Sequence, residues 1–238
     1  MSIAEKLITV AENVPKVYEA GKKSEYDTFW NRYQNNGKRT NYTFAFGGEG
    51  WNNKTFKPKY PITIVNGKYT FSASYMQNWE EVILDTSNMT DASFMFQSCY
   101  GETIPTIDIS KVTSSYGTQY MFGTCYSLVT IEKLIVSENT KYQSSMFTGT
   151  KNLENITFEG TIANNNLDLS PCAKLSKESI TSVINALSNT TSNLKVTLSK
   201  TAVNNAFGIN VDDVTTYPVG SEYYTLRHSK DNWTISYL

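Results

Sequence analysis

The sequence predicts an α+β, β-rich fold: a solenoid of short repeats with an N-terminal helix and a C-terminal α/β cap. The first observation is a recurring phrase, with copies at Met95-Phe96, Met121-Phe122, Met146-Phe147 and Leu169. Its spacings are 122−96 = 26, 147−122 = 25 and 169−147 = 22. The second observation is a short β-prone run before each copy. A period of about 20–50 residues is typical of stacked repeats, in which each repeat covers the apolar side of its neighbour.

Composition supports a β-rich surface with many turns. The chain has 238 residues, of which 39% are hydrophobic and only 18% are charged, with a formal net charge of −1. The low charge is offset by many Asn, Ser and Thr residues, which favour turns over a long helical bundle. No basic run and no apolar run of about 20 residues is present, so we expect neither nucleic-acid binding nor membrane insertion.

Residues 1–37 predict a helical anchor or oligomerisation segment. Apolar residues follow one another at gaps of 4, 3, 4 and 3, which is a heptad seam that can form a short coiled coil. They are Ile3, Leu7, Val10, Val14 and Val17. Pro15 predicts a kink. We expect the seam to form a homo-oligomer, with a trimer favoured, or to dock on a partner; the alternative is an ordinary amphipathic helix on its own domain.

Residues 38–80 predict an N-terminal cap with a hairpin. The glycine-rich stretch 44–51 lacks the spacing of a phosphate-binding loop and reads as a turn-rich cap. Asn66-Gly67 lies between the β-prone segments 62–64 and 69–71, and this pair favours a tight hairpin turn.

Residues 81–175 predict the repeat array. Three cysteines, Cys99, Cys125 and Cys172, occupy the same repeat position. We expect these cysteines to act as small apolar core residues, in preference to forming a disulfide or a metal site. Short runs such as 107–109 and 134–136 predict the repeated strand.

Residues 176–238 predict a C-terminal cap. Ser176 is a suitable N-cap for a helix, and residues 194–198 alternate as a strand. Residues 199–208 predict a second helix that ends at Gly208, and residues 233–237 predict a final strand.

Few residues suggest catalysis. The single histidine, His228, is expected in an exposed loop, and one histidine builds no multi-His metal site. Glu80-Glu81 and Asp212-Asp213 are adjacent acids, which usually mark solvated turns. Three aspartates could bind Ca²⁺ if they lay together, although their spacing is not that of an EF-hand calcium loop; these are Asp85, Asp91 and Asp108. From these residues we expect a protein that is not an enzyme and that binds neither a metal nor a cofactor.

Aromatic residues are better suited to binding. Tyrosine gives a large contact area at low entropic cost beside adaptable Asn and Ser side chains. The candidate ligand-binding residues are Tyr100, Tyr116, Tyr120, Tyr126 and Tyr142. The alternative is that half or more of them pack between repeats.

The stretch TSNMTDASFMFQSC, from Thr86 to Cys99, and the stretch LSPCAKL, from Leu169 to Leu175, resemble BspA-type leucine-rich repeats. The resemblance covers about residues 80–200, and its later copies depart from the pattern. The opening 40 residues resemble the leader of members encoded by bacteriophages or prophages of gut bacteria. The resemblance implies a leucine-rich-repeat-like solenoid that recognises a ligand, and it brings no catalytic residues.

These observations give a first hypothesis of a phage virion protein, in a tail fibre or baseplate. Its N-terminal helix would contact other virion proteins, and its repeats would bind the host cell surface, with glycan or a protein receptor as ligand. The expected location is the virion, after synthesis in the host cytoplasm without a signal peptide. The alternatives are a capsid decoration or head-fibre protein, a bacterial surface adhesin and a carbohydrate-active enzyme.

Overall fold

The computed structural model describes residues 37–46, 60–76, 79, 82–190 and 193–238. The strands of this part are β1 (Ile62–Thr63), β2 (Leu84–Asp85), β3 (Thr103–Ile104), β4 (Ile107–Asp108), β5 (Thr130–Ile135), β6 (Asn155–Glu159), β7 (Leu167–Leu169), β8 (Leu194–Leu198) and β9 (Trp233–Tyr237). The α-helices are α1 (Lys177–Ala186), α2 (Lys200–Phe207) and α3 (Glu222–His228), with a 3₁₀ turn at Val214–Thr216. Within the described ranges, no helix is long and apolar enough to cross a membrane.

The strands form three small parallel sheets. β1 pairs with β2; β5 lies between β3 and β4 on one side and β6 on the other; and the third sheet has the order β7-β8-β9. Ile131 of β5 is the register partner of both Ile104 and Ile156, so apolar residues of successive strands lie side by side. Because every pair is parallel, each connection returns the chain to the same end of its sheet.

The predicted leucine-rich-repeat-like solenoid was wrong as the fold class. The described residues form a mixed α/β structure with three separate parallel sheets and three helices, instead of one continuous ladder. The first four strands are only two residues long. Between β2 and β4, the Asp108 N–H donates to the Thr86 side-chain oxygen at 2.7 Å. The backbone hydrogen-bond ladder between two strands ends where a side-chain oxygen, and not a backbone carbonyl, accepts the next N–H.

The hairpin predicted around Asn66-Gly67 does not form. Ile62 pairs in parallel with Leu84, and Asn66 makes isolated parallel bridges to Asn41 and Asp91. Gly67 is required by a close approach, since a Cβ there would lie 2.8 Å from the Met89 sulfur. The Asn-Gly signal therefore marks a turn that stacks on its neighbours.

Consecutive tight turns, stacked about 25 residues apart, form one wall of the molecule. Backbone N–H groups alternate in direction along each turn segment. Tyr69 and Phe71 donate to carbonyls of the next segment, at Ser93 (3.1 Å) and Met95 (2.8 Å). Between them, Thr70 donates to Gly67 of its own segment at 3.1 Å. This alternation gives these buried amides a partner without a regular strand.

A column of phenylalanine rings fills the core behind these turns. Neighbouring rings stack with centroids 5.1–5.8 Å apart and interplanar angles of 10–24°. The rings belong to Phe46, Phe71, Phe96, Phe122 and Phe147, and all five are fully buried. Stacked aromatics contribute about 0.5–1.5 kcal/mol per pair beyond the area that they bury. The column therefore fixes the repeat spacing of the turns.

The predicted C-terminal elements are confirmed. Ser176 caps α1 by accepting from the Ser179 N–H, and Gly208 ends α2 in the left-handed conformation at φ 66°. β8 and β9 cover the predicted residues. The predicted N-terminal helix lies outside the described residues.

Candidate recognition surface

Short polar side chains set the turns that position this surface. The Asp91 carboxylate accepts from the Ser93 N–H at 2.9 Å and from its hydroxyl at 2.6 Å. Asn41 accepts from both groups of Thr43 in the same way, at 3.0 and 2.8 Å. An Asx side chain that bonds the backbone two residues later starts a turn without help from tertiary structure. Each such turn begins five residues before a ring of the buried column.

Aromatic residues then enter the left-handed region of backbone space. The residue two positions before each of the first four core rings has a positive φ, and each carries an aromatic side chain. These residues are Phe44 (57°), Tyr69 (56°), Phe94 (59°) and Tyr120 (48°). This conformation directs them away from the core, and all four are exposed or half-buried.

These four side chains form what we call row A (Phe44, Tyr69, Phe94 and Tyr120). Successive ring centroids lie 4.5, 4.5 and 5.7 Å apart, at interplanar angles of 7–17°. Because the rings cover each other's faces, the row presents ring edges and tyrosine hydroxyls to solvent. Ring edges carry the positive end of the aromatic quadrupole and so favour contact with oxygen atoms.

A second aromatic row follows the same turns, four residues after each of the three middle core rings, Phe71, Phe96 and Phe122. We call it row B (Tyr75, Tyr100 and Tyr126). The rings of Tyr75 and Tyr100 stack at 4.2 Å and 5°. Tyr126 follows at the next equivalent position, with the Lys151 ammonium 5.9 Å from its ring centroid. Two rings of row B are exposed, Tyr100 at 39% and Tyr126 at 58%.

The five predicted ligand-binding tyrosines fall into three groups. Tyr100 and Tyr126 belong to row B and Tyr120 to row A, while Tyr116 is 70% exposed but outside both rows. For Tyr142 the prediction was wrong, because this residue is 2% exposed. Its N–H donates to the Asn165 side chain at 2.8 Å, and burial raises the pKa of its phenol. The predicted oligomerisation residues lie outside the described residues; they are Ile3, Leu7, Val10, Val14 and Val17.

The sequence reasoning missed most of row A and the start of row B. The missed residues are Phe44, Tyr69, Phe94 and Tyr75. Their spacing was readable, since 69−44 = 25, 94−69 = 25 and 100−75 = 25. The first two copies, at Phe46 and Phe71, lack the Met-Phe pair, so this phrase marks the array only from its third copy onward.

The surface carries little charge, and the nearby carboxylates serve the turns. Lys68 lies 5.7 Å from the Tyr69 ring centroid. The three aspartates considered for calcium each accept from the N–H of the serine two residues later. Hydrogen bonds from Ser87 hold the pKa of Asp85 below its usual value. In the described part of the chain, no group of three or more His, Cys, Asp or Glu residues could hold a metal ion.

The remaining candidates for chemistry also have structural roles. All three cysteines are free and buried, as predicted, and burial raises the pKa of Cys99 to about 11. His228 is the last residue of α3, where a loop was expected, and lies 3.1 Å from the exposed Asp231 carboxylate. Asp212 pairs with Lys200, and Asp213 caps the 3₁₀ turn through Thr215.

Comparison with protein-family models, with curated proteins and with solved structures gave no match to this chain.

Proposed function

We propose that this chain is a non-catalytic recognition protein that binds an extended surface polysaccharide along rows A and B. One observation carries the proposal: two aromatic rows of exposed or half-buried rings follow the same stack of turns, and each of three successive turns carries one ring from each row. The rings of row A repeat every 4.5–5.7 Å. A ligand that repeats its own units along a line can make the same contact at every turn, whereas a compact ligand can use only one or two.

The chemistry of the rows suits sugar oxygens. Row B offers the phenol hydroxyls of Tyr100 and Tyr126, and row A offers those of Tyr69 and Tyr120, as donors and acceptors. Ring edges between them can contact further sugar oxygens. Tyrosines held by stacking lose little rotamer entropy when a ligand binds, which lowers the cost of association.

We place this activity in a phage virion, as the host-binding part of a tail fibre or baseplate. The support is the resemblance of the opening residues to the leader of phage- or prophage-encoded members, beside that of Thr86–Cys99 to BspA-type repeats. Mass spectrometry and immunogold labelling of purified virions test this placement. Labelling of the tail supports it, labelling of the capsid supports a decoration protein, and absence from virions contradicts it.

Binding is tested by calorimetry or affinity electrophoresis with polysaccharide extracted from host cell envelopes. The double variant Tyr100→Ala/Tyr126→Ala removes two of the three hydroxyl-bearing rings of row B. We expect a loss of affinity of roughly tenfold or more, since buried aromatic contacts dominate most interfaces. The matched control is Tyr116→Ala, which removes an exposed tyrosine outside both rows and should bind as the wild type does.

Two outcomes would contradict this proposal. One is equal binding by the row B variant and the wild type. The other is release of reducing sugar from the polysaccharide during incubation with the wild type, which would indicate a carbohydrate-active enzyme.

A further inference from the structure

The stacked turns carry charge of only one sign. Four of them are described along their whole length, and they comprise residues 67–76, 92–101, 118–127 and 143–152. Together these stretches contain two lysines, Lys68 and Lys151, and neither Asp, Glu, Arg nor His. The whole chain has a formal net charge of −1. The positive charge of this surface is therefore a local property and does not follow from the overall composition.

Lys151 occupies the position that continues row B. It lies four residues after Phe147, as Tyr126 lies four residues after Phe122. Its ammonium group is 5.9 Å from the Tyr126 ring centroid, and the residue is exposed. Row B therefore passes from aromatic rings to a cation at the turn of the last core ring.

Lys68 lies beside row A, towards the other end of the stack. It directly precedes Tyr69, and its ammonium group is 5.7 Å from the centroid of that ring. Three steps separate its turn from the turn of Lys151, and each step measures 5.3–5.8 Å between core ring centroids. A ligand that contacts both lysines must therefore extend along the stack.

Neither lysine forms an ion pair. The lysines that pair with carboxylates in the described part of the chain are Lys133, Lys177 and Lys200. The acids that directly flank the four stretches are Asp91 and Glu102. Asp91 accepts two hydrogen bonds from Ser93 and thereby sets its turn, and Glu102 directly precedes β3. The two ammonium groups therefore keep hydrogen-bond donors and charge for a ligand.

Building on the function proposed above, we infer that the polysaccharide bound by rows A and B is anionic, with acidic groups that contact Lys68 and Lys151. An ammonium group binds a carboxylate or a phosphate through charge-assisted hydrogen bonds, which are stronger than neutral ones. The ring edges of row A carry positive partial charge and favour the same oxygens. A polymer repeats its acidic group, so one chain can contact both lysines, whereas a single sugar acid reaches only one.

Chemical modification of the ligand tests this inference. Calorimetry compares polysaccharide from host cell envelopes in three forms: native, reduced at its carboxylates with carbodiimide and borohydride, and stripped of its phosphate groups. The wild type should bind the native form roughly threefold to tenfold more tightly than one of the modified forms, because two exposed charge contacts contribute modestly. An ionic strength of about 0.01 M keeps screening weak. Loss after reduction identifies uronic acids as the partners of the lysines, and loss after removal of phosphate identifies phosphate groups.

A double variant assigns the effect to the two lysines. Lys68→Gln/Lys151→Gln removes both charges and keeps most of each side-chain stem. It should bind all three forms equally, roughly threefold to tenfold more weakly than the wild type binds the native form. The matched control is Lys111→Gln/Lys195→Gln, which changes two exposed lysines outside both rows and should bind as the wild type does.

Two results would overturn the inference and leave the proposed function standing. One is equal binding of all three forms by the wild type, and the other is a lysine double variant that still prefers the native form as strongly as the wild type does. Binding of none of the forms by the wild type would overturn the proposed function and the inference together. The row B variant Tyr100→Ala/Tyr126→Ala should lose affinity for every form, which distinguishes loss of the aromatic contacts from loss of the charges.

Discussion

At the scale of single residues, the unusual feature is the number of side chains in left-handed backbone conformation. Seven residues other than glycine adopt it in the stacked turns, at two equivalent positions. They are Phe44, Tyr69, Ala73, Phe94, Ser98, Tyr120 and Thr124. This conformation costs an L-residue about 1–2 kcal/mol. Six of these residues, all but Tyr120, donate their N–H to the next segment, as Ala73 does to Gln97 at 2.7 Å, and these bonds hold the conformation in place.

The backbone strain at Ala73 gives a first prediction. Ala73→Gly should raise the free energy of unfolding by up to about 1 kcal/mol, because relief of the left-handed strain exceeds the entropic cost of glycine. Urea denaturation measures it. The matched control is Ala92→Gly, a fully buried alanine without positive φ, which should be destabilised by about 1 kcal/mol or more. Equal destabilisation of both variants would show that Ala73 carries no strain.

The two aromatic positions of one turn give a second prediction. Phe96→Ala removes a fully buried ring that stacks on two neighbours, at 5.3 and 5.8 Å, and should cost about 3–5 kcal/mol. Phe94→Ala removes a half-buried ring of row A and should cost about 1 kcal/mol. Thermal and urea denaturation of both variants measure the difference. Similar losses for the two would contradict the division into core and surface rings.

At the scale of elements, helix α1 acts as the cover of a sheet edge. Ser179 and Ser182 lie three residues apart and so share a helix face. Their hydroxyls accept from the N–H groups of Ile156 and Phe158 at 2.9 and 2.8 Å. The Ser179 hydroxyl also donates to the Glu154 carbonyl at 2.9 Å. The helix therefore takes the place that a further strand would have taken beside β6.

Removal of these hydroxyls gives a third prediction. Ser179→Ala/Ser182→Ala leaves two amides of β6 without acceptors and should cost about 1–3 kcal/mol for each, measured by urea denaturation. Hydrogen exchange at Ile156 and Phe158 should accelerate more than exchange in β8. The control is Asn185→Ala, an exposed residue of the same helix, which should change stability by no more than about 0.5 kcal/mol. Unchanged exchange in the double variant would contradict the role of α1 as an edge cover.

At the scale of the whole molecule, burial of thiols links stability to pH. Cys99, Cys125 and Cys172 are all buried, and desolvation raises the pKa of each thiol, that of Cys99 to about 11 from an ordinary 9.0. A raised pKa means that the folded state holds the proton more tightly than the unfolded state does. The corresponding stabilisation is fully present below pH 9 and is lost as the pH rises towards 11.

A fourth prediction follows for alkaline solution. The free energy of unfolding should fall from pH 9 to pH 11, by about 3 kcal/mol from Cys99 alone, as measured by urea denaturation at a series of pH values. Cys99→Ala should fall less steeply over the same range. In the native state at pH 8, no described thiol should react with a thiol reagent within minutes, while all three should react in urea. Rapid reaction of native protein would contradict the burial of these groups.

How far the sequence predicted the recognition surface depends on the residue. Tyr100 and Tyr126 were found because exposed tyrosines beside Asn and Ser are a local signal. Tyr142 was assigned wrongly, since it is 2% exposed and its backbone N–H is bonded to Asn165, a partner 23 residues away that no local signal reveals. Phe44 and Tyr69 were missed because the turns that carry them differ in sequence from the Met-Phe copies. Only the hydrogen bonds and ring contacts to the neighbouring turns show that they are equivalent.

The sequence by itself determined the elements whose causes are local. The capped helix after Ser176, the helix that ends at Gly208 and the strand β9 depend on capping residues and apolar periodicity within about ten residues. The burial of the cysteines also followed from their fixed position in the repeat. Only the tertiary structure decided where the stack of turns begins, which strands share a sheet and which sheet edge α1 covers. The physical reason is that these features rest on backbone pairing between segments 22 residues apart, as for Ile62 and Leu84, to 39 residues apart, as for Leu194 and Trp233. At such distances in sequence, either a carbonyl or a side chain such as Thr86 can accept the bond.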